Sequence, residues 1–211
     1  ALIYTIMIDK YIAHDLFPTP VYQNNIPVTL LNELKQEEYR EIIPDRNGYY
    51  TKNVYILDKY TELKKTIEQH IHCYVTKHMM IKDIYTWPIL NSWVNRHVKG
   101  DFAHKHFHCH SLISGIYYLK APTDGGMPMF HKPDGWSNLL GTIFNFELSG
   151  DNGVNKLIYK INVKDGDLIL FPSHLFHSVE ESKTDEERYS LAFNVWVGGQ
   201  FGSSDIGQLS V

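Results

Sequence analysis

Four histidines occupy alternate residues, His104, His106, His108 and His110, and two more, His174 and His177, follow the apolar run 168–171 much later in the chain. Imidazole is a ligand for iron, zinc, copper and nickel. On an extended strand, side chains two residues apart share a face, so neighbouring pairs of the four can grip one ion while the backbone stays regular. A third imidazole from a distant strand completes a facial set and leaves coordination positions open for chemistry. His177 is the candidate. Spacing alone does not choose the pair, because His104/His106, His106/His108 and His108/His110 are equivalent. A solvated histidine-rich edge or a tag-like tract has the same composition. Such tracts sit among polar residues at a terminus, whereas this one runs mid-chain into 112–119, which reads as a buried strand.

A second chemical signal is Arg188, at the start of the strand-like stretch 188–197. A guanidinium carried into an interior is costly unless an anion meets it. Set one strand away from a metal histidine, it implies a negatively charged small molecule that also reaches the metal.

The elements that must position these residues change character along the chain. Residues 1–8 are apolar and suggest a first strand. They lack a basic leader and a small-residue cleavage site, so a signal peptide is not expected. Residues 17–22 should be extended around Pro18 and Pro20. Thr29 can cap a helix running to about Glu41 with Leu30, Leu31 and Leu34 inward, and Asn47-Gly48 signals a turn. A longer helix is expected over 61–78, with Leu63, Ile67, Ile71, Tyr74, Val75 and Met79 on its inner face. His70, His72 and His78 are then surface or flank residues. From residue 85 the pattern becomes short strands between turns: 86–98, 102–109, 112–120, 127–131, 141–147, 156–163, 167–172 and 188–197. Strands at this spacing without intervening helices predict an antiparallel sandwich or jelly roll. Asp101 reads as a turn residue. Residues 198–211, rich in glycine and serine, should trail in solvent or dock on a neighbour.

Composition narrows the function classes. A chain of 211 residues with 43% hydrophobic and 21% charged residues is an ordinary globular sequence. A formal net charge of −4 gives no basic field for nucleic acid or an anionic membrane, and no apolar run approaches a membrane span. Cys73 and Cys109 are too few and too far apart for a disulfide framework, so a cytoplasmic location is expected. The 12 histidines are the outlier.

In order along the chain, 91–95 (NSWVN), Gly100, His106-Phe107-His108, 113–119 (ISGIYYL), Phe171-Pro172-Ser173, His177-Ser178-Val179 and Arg188-Tyr189-Ser190 together resemble the iron(II)/2-oxoglutarate-dependent oxygenases. The likeness is to their prolyl-hydroxylase-like group, and within it to a little-characterised bacterial and phage branch. It spans roughly 15–197, and the ordered set is more specific than any piece. It implies a mainly β fold, a double-stranded β-helix (jelly roll) with N-terminal buttressing α-helices. The chain would be a single domain, 1–211: a strand and helical layer at 1–84, the β-helix core at 85–197 and a tail at 198–211. It also implies His106, His108 and His177 as the metal ligands, with no catalytic residue beyond them. Arg188 would hold the distal carboxylate of 2-oxoglutarate, with Tyr118 and Ser190 assisting and Asn95 lining the same pocket. Trp93, Trp136 and Trp196 are further candidate pocket residues, and the loops 121–137 and 148–156 should shape the entrance. The departure is His108, since the wider family has Asp or Glu at that place.

The implied activity is a dioxygenase using Fe(II), 2-oxoglutarate and O2, hydroxylating a C–H bond with release of succinate and CO2. The implied substrate is a prolyl or other peptide side chain, and the tail makes a homodimer an expected assembly. A cupin-like three-histidine metalloenzyme that does not use 2-oxoglutarate would share the fold, and His108 points that way. A non-catalytic jelly-roll binding module would also share it, but leaves the histidines and Arg188 without a role.

Overall fold

The computed structural model describes residues 18–42, 48–132, 149–150, 155–203, 205 and 207–211. The strands expected at 1–8 and 141–147, Trp136 and most of the loop 148–156 lie outside the described residues. In chain order come β1 (Tyr22–Asn25), α1 (Leu31–Lys35), β2 (Tyr39–Glu41), β3 (Tyr49–Thr51), α2 (Ile56–Lys59) and α3 (Thr61–Cys73). There follow β4 (Ile89–His97), β5 (Ala103–His106), β6 (Ile113–Lys120), β7 (Pro128–His131) and β8 (Ile158–Lys160). The chain ends with β9 (Asp167–Pro172), β10 (His177–Val179), β11 (Arg188–Val195), β12 (Gln200–Ser203) and β13 (Gly207–Ser210).

These strands form a seven-stranded sheet in the order β1-β9-β6-β11-β4-β3-β2 and a four-stranded sheet in the order β5-β10-β7-β8. Their ladders are antiparallel. This is the mainly β jelly roll that the sequence predicts. The pleat explains how one sheet serves two purposes. Leu168 and Leu170 of β9, Tyr117 and Leu119 of β6, and Leu191 and Phe193 of β11 face the helices and pack with Ile67, Ile71 and Val75. The alternate residues, Ile169 and Phe171 of β9 and Tyr118 of β6, face the smaller sheet and pack with Phe130. Gly115 permits the tightest contact on the helical side, because a Cβ there would lie 2.1 Å from Cζ of Phe193.

The larger helix matches its expected span, with a change in winding. The α-helix ends at Cys73 and continues as a π-turn, Tyr74–His78, in which the amide of Met79 bonds to the carbonyl of Tyr74 at 2.9 Å. The wider turn carries Met79 off the apolar face, where it is 38% exposed. His72 and His78 are exposed and His70 is half-buried, so all three are surface or flank residues as expected. Helix α1 stops at Lys35 instead of reaching Glu41, and Thr29 does not cap it. Residues 39–41 pair with β3 as an edge strand, a tertiary contact that local propensity does not encode.

The tail is folded on its own chain rather than trailing. β12 and β13 form a hairpin whose Phe201 stacks on Tyr85 of the same chain, ring centroids 4.8 Å apart. Cys73 and Cys109 are free and exposed. No helix among the described residues is long and apolar enough to cross a membrane.

Candidate metal centre

The two sheets enclose a cavity of about 330 Å³. Its floor is built in rows, because β4, β11 and β6 are adjacent and in register. His97 lies opposite Arg188; Asn95 lies opposite Ser190, which lies opposite Tyr118; Trp93 opposite Ala192, opposite Ile116; Asn91 opposite Asn194, opposite Ser114. Polar rows thus stand at both ends with an apolar row between them.

The smaller sheet brings the imidazoles to this floor. His106 on β5 and His177 on β10 are direct cross-strand partners, and their ring centroids are 4.3 Å apart. His108 lies just past the end of β5, so the expected regular strand over 102–109 stops early. Its amide donates to the carbonyl of Ser173 at 3.0 Å, which turns its ring back toward the other two. One potential ligand atom from each of His106, His108 and His177 falls within 4.8 Å of the others. Ligand nitrogens sit about 2.0–2.1 Å from zinc-like ions, so ring shifts of under about 1 Å close the three on one ion. The four histidines of the run do not share a face. His104 and His110 are exposed, His104 packs edge-on against Phe102 at 4.7 Å, and His110 has a φ of 57°.

Each of the three rings is oriented through Nδ1. His106 Nδ1 lies 2.7 Å from the carbonyl oxygen of His104, and His177 Nδ1 lies 3.0 Å from that of Leu175. His108 Nδ1 lies 2.5 Å from Oδ1 of Asn194. Carbonyl oxygens only accept, so each Nδ1 carries the proton and each lone pair is on Nε2, the arrangement that metal-binding imidazoles use. Asn194 is itself fixed, since its Oδ1 also accepts from Ser114 Oγ at 3.0 Å and its Nδ2 donates to Asn91 Oδ1 at 2.9 Å. Burial, then the adjacent imidazoles of His106 and His108, pushes the His177 pKa down to about 3. A neutral, lone-pair-bearing ring is therefore its resting form.

At the other end of the floor Arg188 is only 2% exposed. Its Nη1 donates to the carbonyl of Gly126 at 2.9 Å and its Nη2 to Nδ1 of His97 at 2.7 Å, while among the described residues Nε has no hydrogen-bond partner. Burial lowers the Arg188 pKa and raises that of Tyr118 to about 12, with the two groups close enough to influence each other. A buried guanidinium with an unsatisfied N–H beside a neutral phenol suits a carboxylate. The donor set, three imidazoles at one end and this cation at the other, fits a divalent first-row ion and a dicarboxylate spanning the cavity.

Ser190, Asn95, Tyr118 and Trp93 line the cavity as expected. Trp93 donates from Nε1 to Asn95 Oδ1 at 3.1 Å, which turns the Asn95 amide nitrogen away from the indole. Trp196 is not in the wall. β11 ends at Val195, and past the strand the Trp196 amide donates to the carbonyl of Pro88 at 3.0 Å. In the described part of the loop 121–137 the carbonyl of Gly126 meets Arg188 at this end of the cavity. Glycine is needed there because φ is 87° and a Cβ would lie 2.2 Å from the carbonyl oxygen of Glu180. Sequence reasoning missed His97, Asn194 and Ser114; the alternation within β4, β6 and β11 that places Asn95, Ser190 and Tyr118 also places these three.

Residues 91–194, just under half of the chain and including all three imidazoles and Arg188, match the family model described as a putative 2OG-Fe(II) oxygenase. Solved structures share the fold at low identity. An oxidoreductase of the 2OG-Fe(II) oxygenase family from Burkholderia pseudomallei has 13% identity and a TM-score of 0.58, covering 83% of this chain and 84% of its own. A Pseudomonas putida prolyl-4-hydroxylase has 16% identity and a TM-score of 0.54, covering 84% and 92%. The viral collagen prolyl hydroxylase of Paramecium Bursaria Chlorella virus-1, in complex with 2OG, has 16% identity and a TM-score of 0.53, covering 83% and 94%. Among curated proteins no sequence matches the chain.

Proposed function

We propose, from the premise that this chain belongs to the 2OG-Fe(II) oxygenases, that it hydroxylates a C–H bond of a substrate entering beside His106 and His108. The ligands would be His106, His108 and His177, and Arg188 would hold the far carboxylate of 2-oxoglutarate. The observation that carries the reading is the opposition of two groups in one cavity. The three imidazoles converge at one end, and a buried guanidinium with an unpartnered Nε stands at the other.

Iron(II) with 2-oxoglutarate and O2 supplies the oxidising chemistry, giving succinate, CO2 and the hydroxylated product, one oxygen atom going to each of succinate and product. The chain's own residues bind, orient and exclude water. Oxygen acceptors at the three Nδ1–H groups fix the rings so that the Nε2 atoms of His106, His108 and His177 would hold the ion. Arg188, Tyr118 and Ser190 take the distal carboxylate, a charge-assisted contact strengthened by burial. Ile116, Ala192 and Phe171 supply apolar wall between the two ends. Trp93 and Asn95 would face the primary substrate, the indole offering a flat apolar surface and the amide an N–H donor. A prolyl or other peptide side chain is the substrate class favoured by the two prolyl hydroxylases of the same fold.

A three-histidine centre that works without 2-oxoglutarate is the rival reading, favoured by His108 standing where the wider family carries a carboxylate. Arg188 weighs against it, because such a centre has no use for a buried cation at the opposite end. The separating experiment is aerobic incubation of iron(II)-loaded protein with 2-oxoglutarate, followed by succinate measurement. Turnover should occur slowly without substrate and vanish in Arg188→Ala. Succinate formation that is absent from wild type, or unchanged in that variant, would reject the proposal.

A further inference from the structure

Among the described residues the Arg188 guanidinium has only neutral hydrogen-bond partners: the carbonyl of Gly126, that of Gly125 at 3.5 Å, and the His97 ring. Of these the imidazole alone is a side chain, and it is the direct cross-strand neighbour of Arg188 on β4. Because His97 Nδ1 accepts from Nη2, the ring proton sits on Nε2. The ring is 4% exposed. It is also held from the far side. Gly48 has a φ of 125°, and a Cβ there would lie 2.8 Å from His97 Cδ2, so main chain packs directly on the ring. Burial and the adjacent guanidinium push the His97 pKa down to about 2. It is an acceptor, not a competing cation, at any working pH.

At least two of the five guanidinium N–H bonds, that of Nε among them, remain after the turn carbonyls and His97 have been served. Which edge they present to the cavity depends on how the planar group is rotated, and a carboxylate needs two parallel donors on one edge. The carbonyls of a turn restrain one corner of the plane. His97 restrains a second corner and so fixes the rotation.

The geometry points to His97 as the positioning residue of the co-substrate clamp: by accepting from Nη2 it sets the orientation of Arg188 and thereby the affinity and chain-length selectivity for a five-carbon 2-oxo diacid. This rests on the co-substrate reading above. Phenylalanine at position 97 fills a similar volume but cannot accept, whereas asparagine places Oδ1 close to where Nδ1 stands. The two variants therefore separate packing from orientation.

The test is anaerobic titration of the iron(II)-loaded protein with 2-oxoglutarate and with 2-oxoadipate, one methylene longer. Iron(II) affinity is measured alongside, as are the steady-state constants KM and kcat for the co-substrate. His97→Phe should weaken 2-oxoglutarate binding by about tenfold or more, the cost of losing a charge-assisted contact. It should raise KM with kcat little changed, narrow the preference over 2-oxoadipate, and leave iron(II) affinity unaltered. His97→Asn should recover most of the lost affinity. If His97→Phe does not fold, His97→Ala against His97→Asn carries the same contrast. Equal affinity in wild type and the non-accepting variant, or no recovery in His97→Asn, overturns the inference while leaving the co-substrate reading intact. Wild type that fails to bind 2-oxoglutarate overturns both.

Discussion

His106 and His177 face each other residue for residue across the β5–β10 ladder, with 4.3 Å between ring centroids. Two of the proposed ligand positions are therefore set by backbone pairing, and the third, His108, by an amide-to-carbonyl bond and the side chain of Asn194. The centre has a rigid half and an adjustable half, and they should respond differently to substitution.

Alanine at 106 or 177 removes a proposed ligand from a fixed ladder position. Each should lower iron(II) affinity by more than about 100-fold, beyond the range seen for outer-shell partners. Calorimetric titration of metal-free protein reads this directly. Affinity within a few-fold of wild type in either variant would remove that residue from the ligand set.

Asn194→Ala should cost about 10–100-fold in iron(II) affinity without touching a ligand. It withdraws the acceptor that orients His108 and also leaves Ser114 and Asn91 short of a partner. Asn194→Asp keeps the acceptor and should bind the metal more tightly than Asn194→Ala. The same titration distinguishes them, and equal affinities for the two variants would mean the oxygen at this position does not orient the ring.

Stability should fall in acid partly through His97. Its pKa when folded, about 2, lies below the ordinary value of 6.5. The unfolded chain therefore binds this proton more readily, and the contribution is complete above about pH 6.5 and declines as pH drops toward 2. Urea unfolding of the metal-free protein at about pH 7.5, 6 and 5, which spans the upper part of this window, should give a shallower pH dependence in His97→Phe than in wild type. Parallel curves would contradict the assignment.

Gly115→Ala should destabilise the protein by roughly 1–3 kcal/mol, an overpacking cost. The added methyl would overlap the Phe193 ring, whose nearest atom is 2.1 Å from the built Cβ position. Denaturant midpoints measure it. The double variant Gly115→Ala with Phe193→Leu should lose less than the sum of the two single changes.

Much of this was readable from the chain because alternation is a local property. The strand 167–172 and the starting residue of β11 coincide with the structure, since an unbroken apolar run between turn residues admits little else. The inward set Arg188, Ser190 and Tyr118 follows from the same parity. What the histidine spacing could not show is where β5 ends. His104, His106, His108 and His110 are equivalent until the amide of His108 finds the carbonyl of Ser173, a partner 65 residues away by the difference of their numbers. His97 was hidden for a similar reason, as its role exists only once β4 and β11 are laid side by side. The short strand β2 carries too few residues to outweigh a helical reading of 29–41, and its pairing to β3, which pairs in turn to β4, is a tertiary effect.

The central claim is that the converging imidazoles and the buried guanidinium serve one metal-bound diacid. Its most direct test is the visible spectrum of the protein under anaerobic conditions on adding iron(II) and then 2-oxoglutarate. A weak charge-transfer band should appear only when both are present. It should be lost in His177→Ala for want of metal, and in Arg188→Ala should require far higher 2-oxoglutarate while iron(II) still binds. A band that forms equally well without Arg188, or a wild-type protein that binds iron(II) and shows none, would contradict the account.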